Sequence, residues 1–214
     1  MATNPTGTAP SLVDRAKNII LRPKEEWAVI DTEPATVGSI YRNYVCILAA
    51  IPAVAMAIGL LVFGVSLFLI TWRPPIGYVV SQAVLTYVMA LVQVFVLALI
   101  IEALAPSFGG QKDRVKALKV AAYSYTPAWI AGILYLVPAL GLLVLIAGIY
   151  GFYLLYLGLP LLMKSAPDKT VVYLIAIIVA AIVVGIVLGA ITTAAMHAFM
   201  PVGPTAAASG FSLR

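Results

Sequence analysis

Between Val120 and Met163 no side chain carries a charge. One helix needs about 20 apolar residues to cross a bilayer, and this run is roughly twice that long. Three more apolar runs accompany it: Tyr44–Ile70, Ile76–Leu104 and Val171–Ala195. A soluble domain carries about 25% charged residues. This chain of 214 residues is 63% hydrophobic and 10% charged. It reads as an integral membrane protein.

Within the long run, "VPALG" (Val137–Gly141) supplies a Pro/Gly break, so the run divides into two spans joined by a tight hairpin. The alternative is a re-entrant hairpin and four spans, which requires irregular backbone at membrane depth to be shielded by protein. The expected fold class is all-α: a polytopic membrane protein, a five-helix transmembrane bundle with short amphipathic N-terminal helices. Three regions follow. Residues 1–43 form a cytoplasmic amphipathic arm, residues 44–198 the membrane domain, and residues 199–214, rich in small residues, Pro and Gly, a flexible non-cytoplasmic tail.

Lysine and arginine set the orientation. Of the 13 in the chain, all but Arg73 and Arg214 fall before the first span, between the second and third, or between the fourth and fifth. The N-terminus is therefore expected in the cytoplasm and the C-terminus outside. The net charge of +5 is a topology signal in short loops, and nucleic acid is excluded as a partner. The single cysteine, Cys46, rules out an internal disulfide and a multi-cysteine metal site. The opening "MATNPTGTAP" lacks the basic start and apolar core of a cleavable signal peptide, and no lipidation motif is present.

In the arm, "SLVDRAKNIILRPKEEWAVI" offers Ser11 as an N-cap, with Asp14 three residues on. Pro23 suits a first helical position, and Glu25 and Glu26 fall in the first turn. Leu12, Ala16, Ile19 and Ile20 share a face. The arm either lies on the membrane surface with Trp27 at headgroup depth or packs on the bundle.

The residues for chemistry are sparse. The only histidine, His197, is at the outer end of the fifth span, while Ser124 and Thr126 are at the inner end of the third. About 30 Å of bilayer separates them, which excludes a Ser–His site. No set of His, Cys and carboxylates has metal-ligand spacing, and "FGGQKDR" lacks the phosphate-loop spacing. Catalytic, cofactor and metal sites are all expected to be absent, and the chain is read as a non-enzyme.

Polar residues nonetheless gather toward the inner end. Glu102, in the last turn of the second span, either pairs at the interface with Lys112, Arg114 or Lys119, or serves ion coupling. Tyr41, Tyr44, Tyr123, Tyr125 and Tyr173 fall near inner span ends, where an aromatic belt belongs. Tyr150, Tyr153 and Tyr156 step by three down the fourth span. The missing amide of Pro127 leaves the Tyr123 carbonyl without its helical donor. The candidate polar cluster is Glu102, Tyr123, Ser124, Tyr125, Thr126, Pro127, Tyr153 and Tyr156. A basic loop of Lys112, Arg114, Lys116 and Lys119 is the candidate surface for lipid or partner. Gln82 and Gln93 are interhelical hydrogen-bonders. Ala181, Gly185 and Gly189 recur every four residues as a close-packing face, with an internal helix as its default partner.

"RPKEEWAVI" (Arg22–Ile30), "YSYTP" (Tyr123–Pro127) and "YGFYLLYLGLPLLMK" (Tyr150–Lys164), in that order around the spans, resemble the bacterial branch of the Yip family, the Ypt/Rab-interacting membrane proteins. The resemblance extends from Leu12 to the fifth span. It implies a five-helix membrane domain with a cytoplasmic N-terminus, with Tyr123, Tyr125 and Pro127 at the family's Tyr/Pro pattern. Eukaryotic members bind prenylated Rab GTPases; the "DLYGP"-type element of those members is replaced here by "SQAVLTYVMA" (Ser81–Ala90). Together these readings favour a non-enzymatic membrane adaptor or organiser in the bacterial inner membrane. Its partners would be membrane lipids, anionic ones included, a cytoplasmic protein, or a second copy. The alternative is a small transporter or channel with a cavity near Glu102, Tyr123 and Tyr125.

Overall fold

The structure is a computed structural model and describes residues 11–67, 70–199 and 211–213. Helices α1 (Leu12–Leu21) and α2 (Pro23–Thr32) form a hairpin. Ser11 caps α1, accepting from the Asp14 amide at 3.2 Å and donating to its carboxylate at 2.7 Å. Thr36 and Ser39 form a reciprocal capping box at the start of α3 (Val37–Ile40). A π-helical turn, Tyr41–Val45, then leads without a break into α4 (Cys46–Val62). The helical segment Val37–Val62 thus starts earlier than the expected first span, and it also ends earlier.

Beyond Val62 the chain turns at Gly64, where φ is 69°, a backbone state that glycine adopts without steric cost. It then forms β1 (Val65–Leu67) and β2 (Ile70–Trp72). A third strand, β3 (Phe211–Leu213), pairs antiparallel with β2, giving the sheet order β1-β2-β3. The all-α expectation holds for the body of the chain, which carries this small sheet in addition. The sheet also corrects the reading of the tail: Phe211–Leu213 is a paired strand, while residues 200–210 and 214 lie outside the described residues.

Helix α5 (Ile76–Leu104) has the bounds of the second apolar run. The long uncharged run breaks where "VPALG" lies, with Val137 in extended conformation. Its second half is α8 (Val144–Leu162). Its first half is not one helix: α6 (Arg114–Ser124) and α7 (Thr126–Ala131) meet at Tyr125, and 3-10 turns follow over Gly132–Leu136 and Pro138–Leu143. Pro127 sits in the first turn of α7, where its missing amide is tolerated. Among the described residues four helical segments are long and apolar enough to cross a membrane: Val37–Val62, Ile76–Phe108, Ala139–Leu162 and Pro167–Ala194. The last contains most of α9 (Thr170–Phe199).

The segmented half is nevertheless tightly seated. It follows α4 in the same direction. Thr126 bonds Tyr44, Gly132 lies against Pro52, and the Tyr135 and Leu136 carbonyls lie on Gly59. A Cβ on Gly59 would fall 2.3 Å from the Tyr135 oxygen, and one on Gly132 would fall 2.6 Å from Pro52 Cβ. Absent side chains let these backbones touch, which supplies the packing that drives association in lipid.

The core lies at the end of the bundle that carries the arm. Ile19, Trp27 and Ile30 of the arm are buried with Tyr44, Val45, Ile101, Leu118, Leu154, Leu159 and Tyr173. Of the two placements open for the arm, the structure adopts the one packed on the bundle. Trp27 is only 1% exposed, and its ring lies over Gly158 of α8, enclosed by protein. A side chain at position 158 would occupy the space the indole fills. Tyr41, Tyr44, Tyr87, Tyr150 and Tyr173 act as straps between elements. Tyr44 bonds Thr126 at 2.7 Å, and the others donate to the Leu91, Cys46, Ile20 and Ile101 carbonyls. Tyr44, Tyr123 and Tyr173 are thus buried and do not form an outward-facing aromatic belt. A phenol in an apolar interior needs a partner for its hydroxyl, and helix carbonyls provide one.

Candidate functional site

At the junction of arm and bundle, α1 brings Arg15 inward beside Ala16 and Ile19, and all three are buried. Arg15 Nη1 donates to Glu26 Oε1 at 2.6 Å, and its Nη2 is hydrogen-bonded to Glu33. The guanidinium carbon lies 5.8 Å from the Tyr123 ring centroid, a cation–π distance. Tyr123 in turn meets Tyr44 edge-on at 4.6 Å and Trp27 at 6.2 Å. Burial raises the Glu26 carboxyl above its ordinary value, and the opposing pull of Arg15 does not cancel this.

Two of the four basic-loop cations, Lys116 and Lys119, hold this arm. Lys119 is buried, and its ammonium donates to the Ile30 and Glu33 carbonyls at 2.6 and 2.5 Å. It satisfies acceptors that the end of α2 leaves open. Lys116 bonds Asp31 at 2.8 Å, and Lys164, at φ 55° just after α8, bonds the same carboxylate at 3.0 Å. Arg114 bonds Glu102 at 2.8 Å, so Glu102 makes an interfacial ion pair with one of the three cations weighed for it. Lys112, Lys17, Arg22, Lys24 and Arg42 are exposed. Nothing in the apolar periodicity reveals that these four loop cations differ; the acidic groups of the arm, read as partners, would have shown it.

Burial favours the neutral form of Asp31, but the Lys116 and Lys164 hydrogen bonds outweigh it and hold the carboxyl below its ordinary value. Stability from this pair is therefore present above the unfolded carboxylate pKa and is lost as pH falls through the native one. Acidification to below about pH 4 is expected to loosen the arm, read as faster hydrogen exchange over α2. Asp31→Asn should exchange faster at neutral pH and show a flatter acid response. An acid response identical to wild type would remove Asp31 from the account.

The expected polar cluster divides in two. Tyr123 belongs to the arm junction, and Thr126 is buried against Tyr44. Ser124 and Tyr125 line a separate cavity of about 330 Å³ between α5, the α6–α7 junction, α8 and α9. Ser124 is 4% exposed, and its hydroxyl has no hydrogen-bond partner among the described residues. Glu102 does not line this cavity. Tyr153 and Tyr156 are 43% and 39% exposed and face outward, away from Tyr123. Ala181 and Gly185 line the cavity, and a Cβ on Gly185 or Gly189 would meet nothing within 4 Å. The two glycines are therefore not packed on an internal helix, and α9 presents Ile182, Val183, Ile186 and Val187 outward. The side chain of His197 lies outside the described residues. Among the described residues no group of three or more His, Cys, Asp or Glu is placed to hold a metal.

A second cavity, of about 290 Å³, lies between α2 and α8 and is lined by Lys24, Trp27, Leu157, Pro160 and Leu161. The Trp27 indole N–H is buried and has no partner among the described residues.

Apolar helices of spanning length, with an arm locked across one end, define a multi-pass membrane protein. The Yip1 domain family model matches residues 17–189, and the chain belongs to that family. It is also 29% identical over 146 residues to the inner membrane protein YohC of Escherichia coli K12, covering 64% of this chain and 73% of that protein. The corresponding YohC of Escherichia coli O6:H1 (strain CFT073) matches to the same extent. No solved structure matches.

Proposed function

We propose that the chain is a non-enzymatic membrane adaptor or organiser whose cytoplasmic face binds an anionic lipid and, through it, positions the arm for a protein partner. The observation that carries this reading is the cavity between α2 and α8. It is lined by Lys24, whose side chain is exposed, by Trp27, whose buried indole N–H has no partner among the described residues, and by an apolar wall of Leu157, Pro160 and Leu161. A cation, an N–H donor and an apolar wall match the phosphate and upper chain of an anionic lipid. On the outer side of α1, Val13 and Leu21 are exposed and flank Lys17 at helical spacing, an apolar and basic stripe suited to a headgroup surface or a partner.

The placement that goes with this reading is N-terminus in the cytoplasm, C-terminus outside, in the cell membrane. The charge bias supports it, as does β3, which joins the sheet between the first two spans, at the far end from the arm.

Lys24 is exposed, so Lys24→Gln tests the site without disturbing the core. Trp27→Phe keeps an aromatic ring and removes the N–H. Losing a charge-assisted hydrogen bond should lower retention of anionic lipid roughly ten-fold, measured by native mass spectrometry of protein taken from its own membrane. If both variants keep the wild-type lipid complement, the anionic-lipid reading fails. A small transporter or channel is the second reading, favoured by the cavity at Ser124 and Tyr125; solute flux in reconstituted vesicles decides it.

A further inference from the structure

The cavity at Ser124 is chemically unlike the one at Lys24. Its walls come from α5, the α6–α7 junction, α8 and α9, and among the described residues no charged one lines it. Two rim residues, Phe152 and Ile182, are 41% and 56% exposed, so the space opens sideways, toward lipid. Water is a poor occupant, because a site this apolar offers it few partners. Left empty, the space would forfeit contacts on every wall.

We propose that this cavity binds one single-chain, neutral amphiphile drawn from the bilayer, its alkyl chain along α8 and α9 and its hydroxyl or carbonyl oxygen on Ser124 and Gln93. Four observations select that chemistry. The volume of about 330 Å³ is at the small end for ligand sites, enough for one chain and too small for a two-chain lipid. Its lining on α9 runs from Ile177 to Gly185, about 12 Å at the helical rise, which gives a channel for an extended chain. Glycines keep that channel open: a Cβ on Gly148 or Gly185 would meet nothing within 4 Å.

The fourth observation concerns polarity. Ser124 has a buried hydroxyl with no partner among the described residues, and Gln93, half-buried on α5, adds a primary amide to the lining. Both groups donate and accept, so a neutral oxygen satisfies them. A carboxylate or phosphate would be buried without a counter-charge, which is strongly unfavourable. Lys119, two helical turns or less from Ser124, is already engaged by the α2 carbonyls.

The test uses the full-length protein in nanodiscs and two photoreactive probes: a long-chain alcohol carrying a mid-chain diazirine, and the matching alkane. Crosslinks are mapped by peptide mass. In wild type the alcohol should label residues 148–155 or 177–185 about five-fold more than the alkane, the discrimination of one net hydrogen bond. Ser124→Val should level the two probes. Gly185→Leu and, independently on another helix, Gly148→Leu should reduce labelling by both to the level of the α4 surface around Val54 and Ile58. That surface is lipid-facing and serves as the internal control for folded, embedded protein. Equal labelling by the two probes in wild type, or full labelling in both filled variants, overturns the proposal. A fatty-acid probe that outcompetes the alcohol overturns the assignment to a neutral ligand. No arm residue enters this experiment, so its outcome is independent of the adaptor reading.

Discussion

Arg15→Met should release the arm from the bundle. The guanidinium is buried between Glu26 and Glu33 and lies against the Tyr123 ring. Removing it leaves the Glu26 carboxylate, itself buried, without a counter-charge. Loss of one partner from a buried pair costs about 3–5 kcal/mol, as much as local docking of two short helices is expected to supply. Hydrogen exchange over Leu12–Thr32 should then approach that of an unprotected segment, while α5 and α8 keep their protection. Arg15→Met combined with Glu26→Gln removes the stranded charge and should restore much of the protection, because Glu33 is partly exposed and reaches water. If the single variant keeps wild-type exchange across the arm, the buried pair is not what holds it.

The same residues show how far the chain was legible as sequence. Hydropathy located α5 to the residue, because Pro75 and Ala105 bracket an unbroken apolar helix. It also placed the break at Val137, since Pro138 bars the preceding residue from helical conformation. It failed at the first span's far end, where the apolar run continues as the strands Val65–Leu67 and Ile70–Trp72: mean apolarity does not separate a helix from a hairpin. It failed again between Arg114 and Leu136, where tyrosines, glycine and proline divide one expected span into short helices.

The candidate site was less legible. Spacing gathers Glu102, Tyr123, Ser124, Tyr125 and Thr126 toward one end of the membrane domain, but a helix distributes consecutive residues to different faces. Tyr123 thus turns to the arm and Ser124 and Tyr125 to the cavity. Tyr153 and Tyr156 share a three-residue step with Tyr150, yet only Tyr150 reaches a carbonyl, that of Ile20. The arm's acidic residues were the overlooked signal. The sequence reading places Glu26 only in a first helical turn and gives Asp31 and Glu33 no role, whereas each of the three has a named cation in the fold.

The other large effect is expected from a single methyl group. Gly59→Ala places a Cβ 2.3 Å from the Tyr135 carbonyl oxygen and 2.9 Å from that of Leu136. Both obstacles are backbone, in a 3-10 turn with no flexible end to yield, so α4 and Gly132–Leu136 must separate. Overpacking of this kind costs about 1–3 kcal/mol and sometimes more. The loss should be exaggerated here, because the segmented half of the long run depends on α4 along its length and has no continuous helical ladder of its own. Thermal unfolding in detergent should show a clearly lowered midpoint, with protection lost first over α7. Gly132→Ala tests the same seam from the other side, where the obstacle is the rigid Pro52 ring at 2.6 Å. Gly189→Ala is the matched control: its Cβ meets nothing within 4 Å, and helix propensity alone should make it neutral or more stable by about 0.5–1 kcal/mol. Equal midpoints for Gly59→Ala and Gly189→Ala would mean that the seam is not what holds the broken span in place. A loss confined to Gly59→Ala and Gly132→Ala would show that a helix interrupted at Tyr125 and Gly132 is kept at membrane depth by backbone contact with its neighbour.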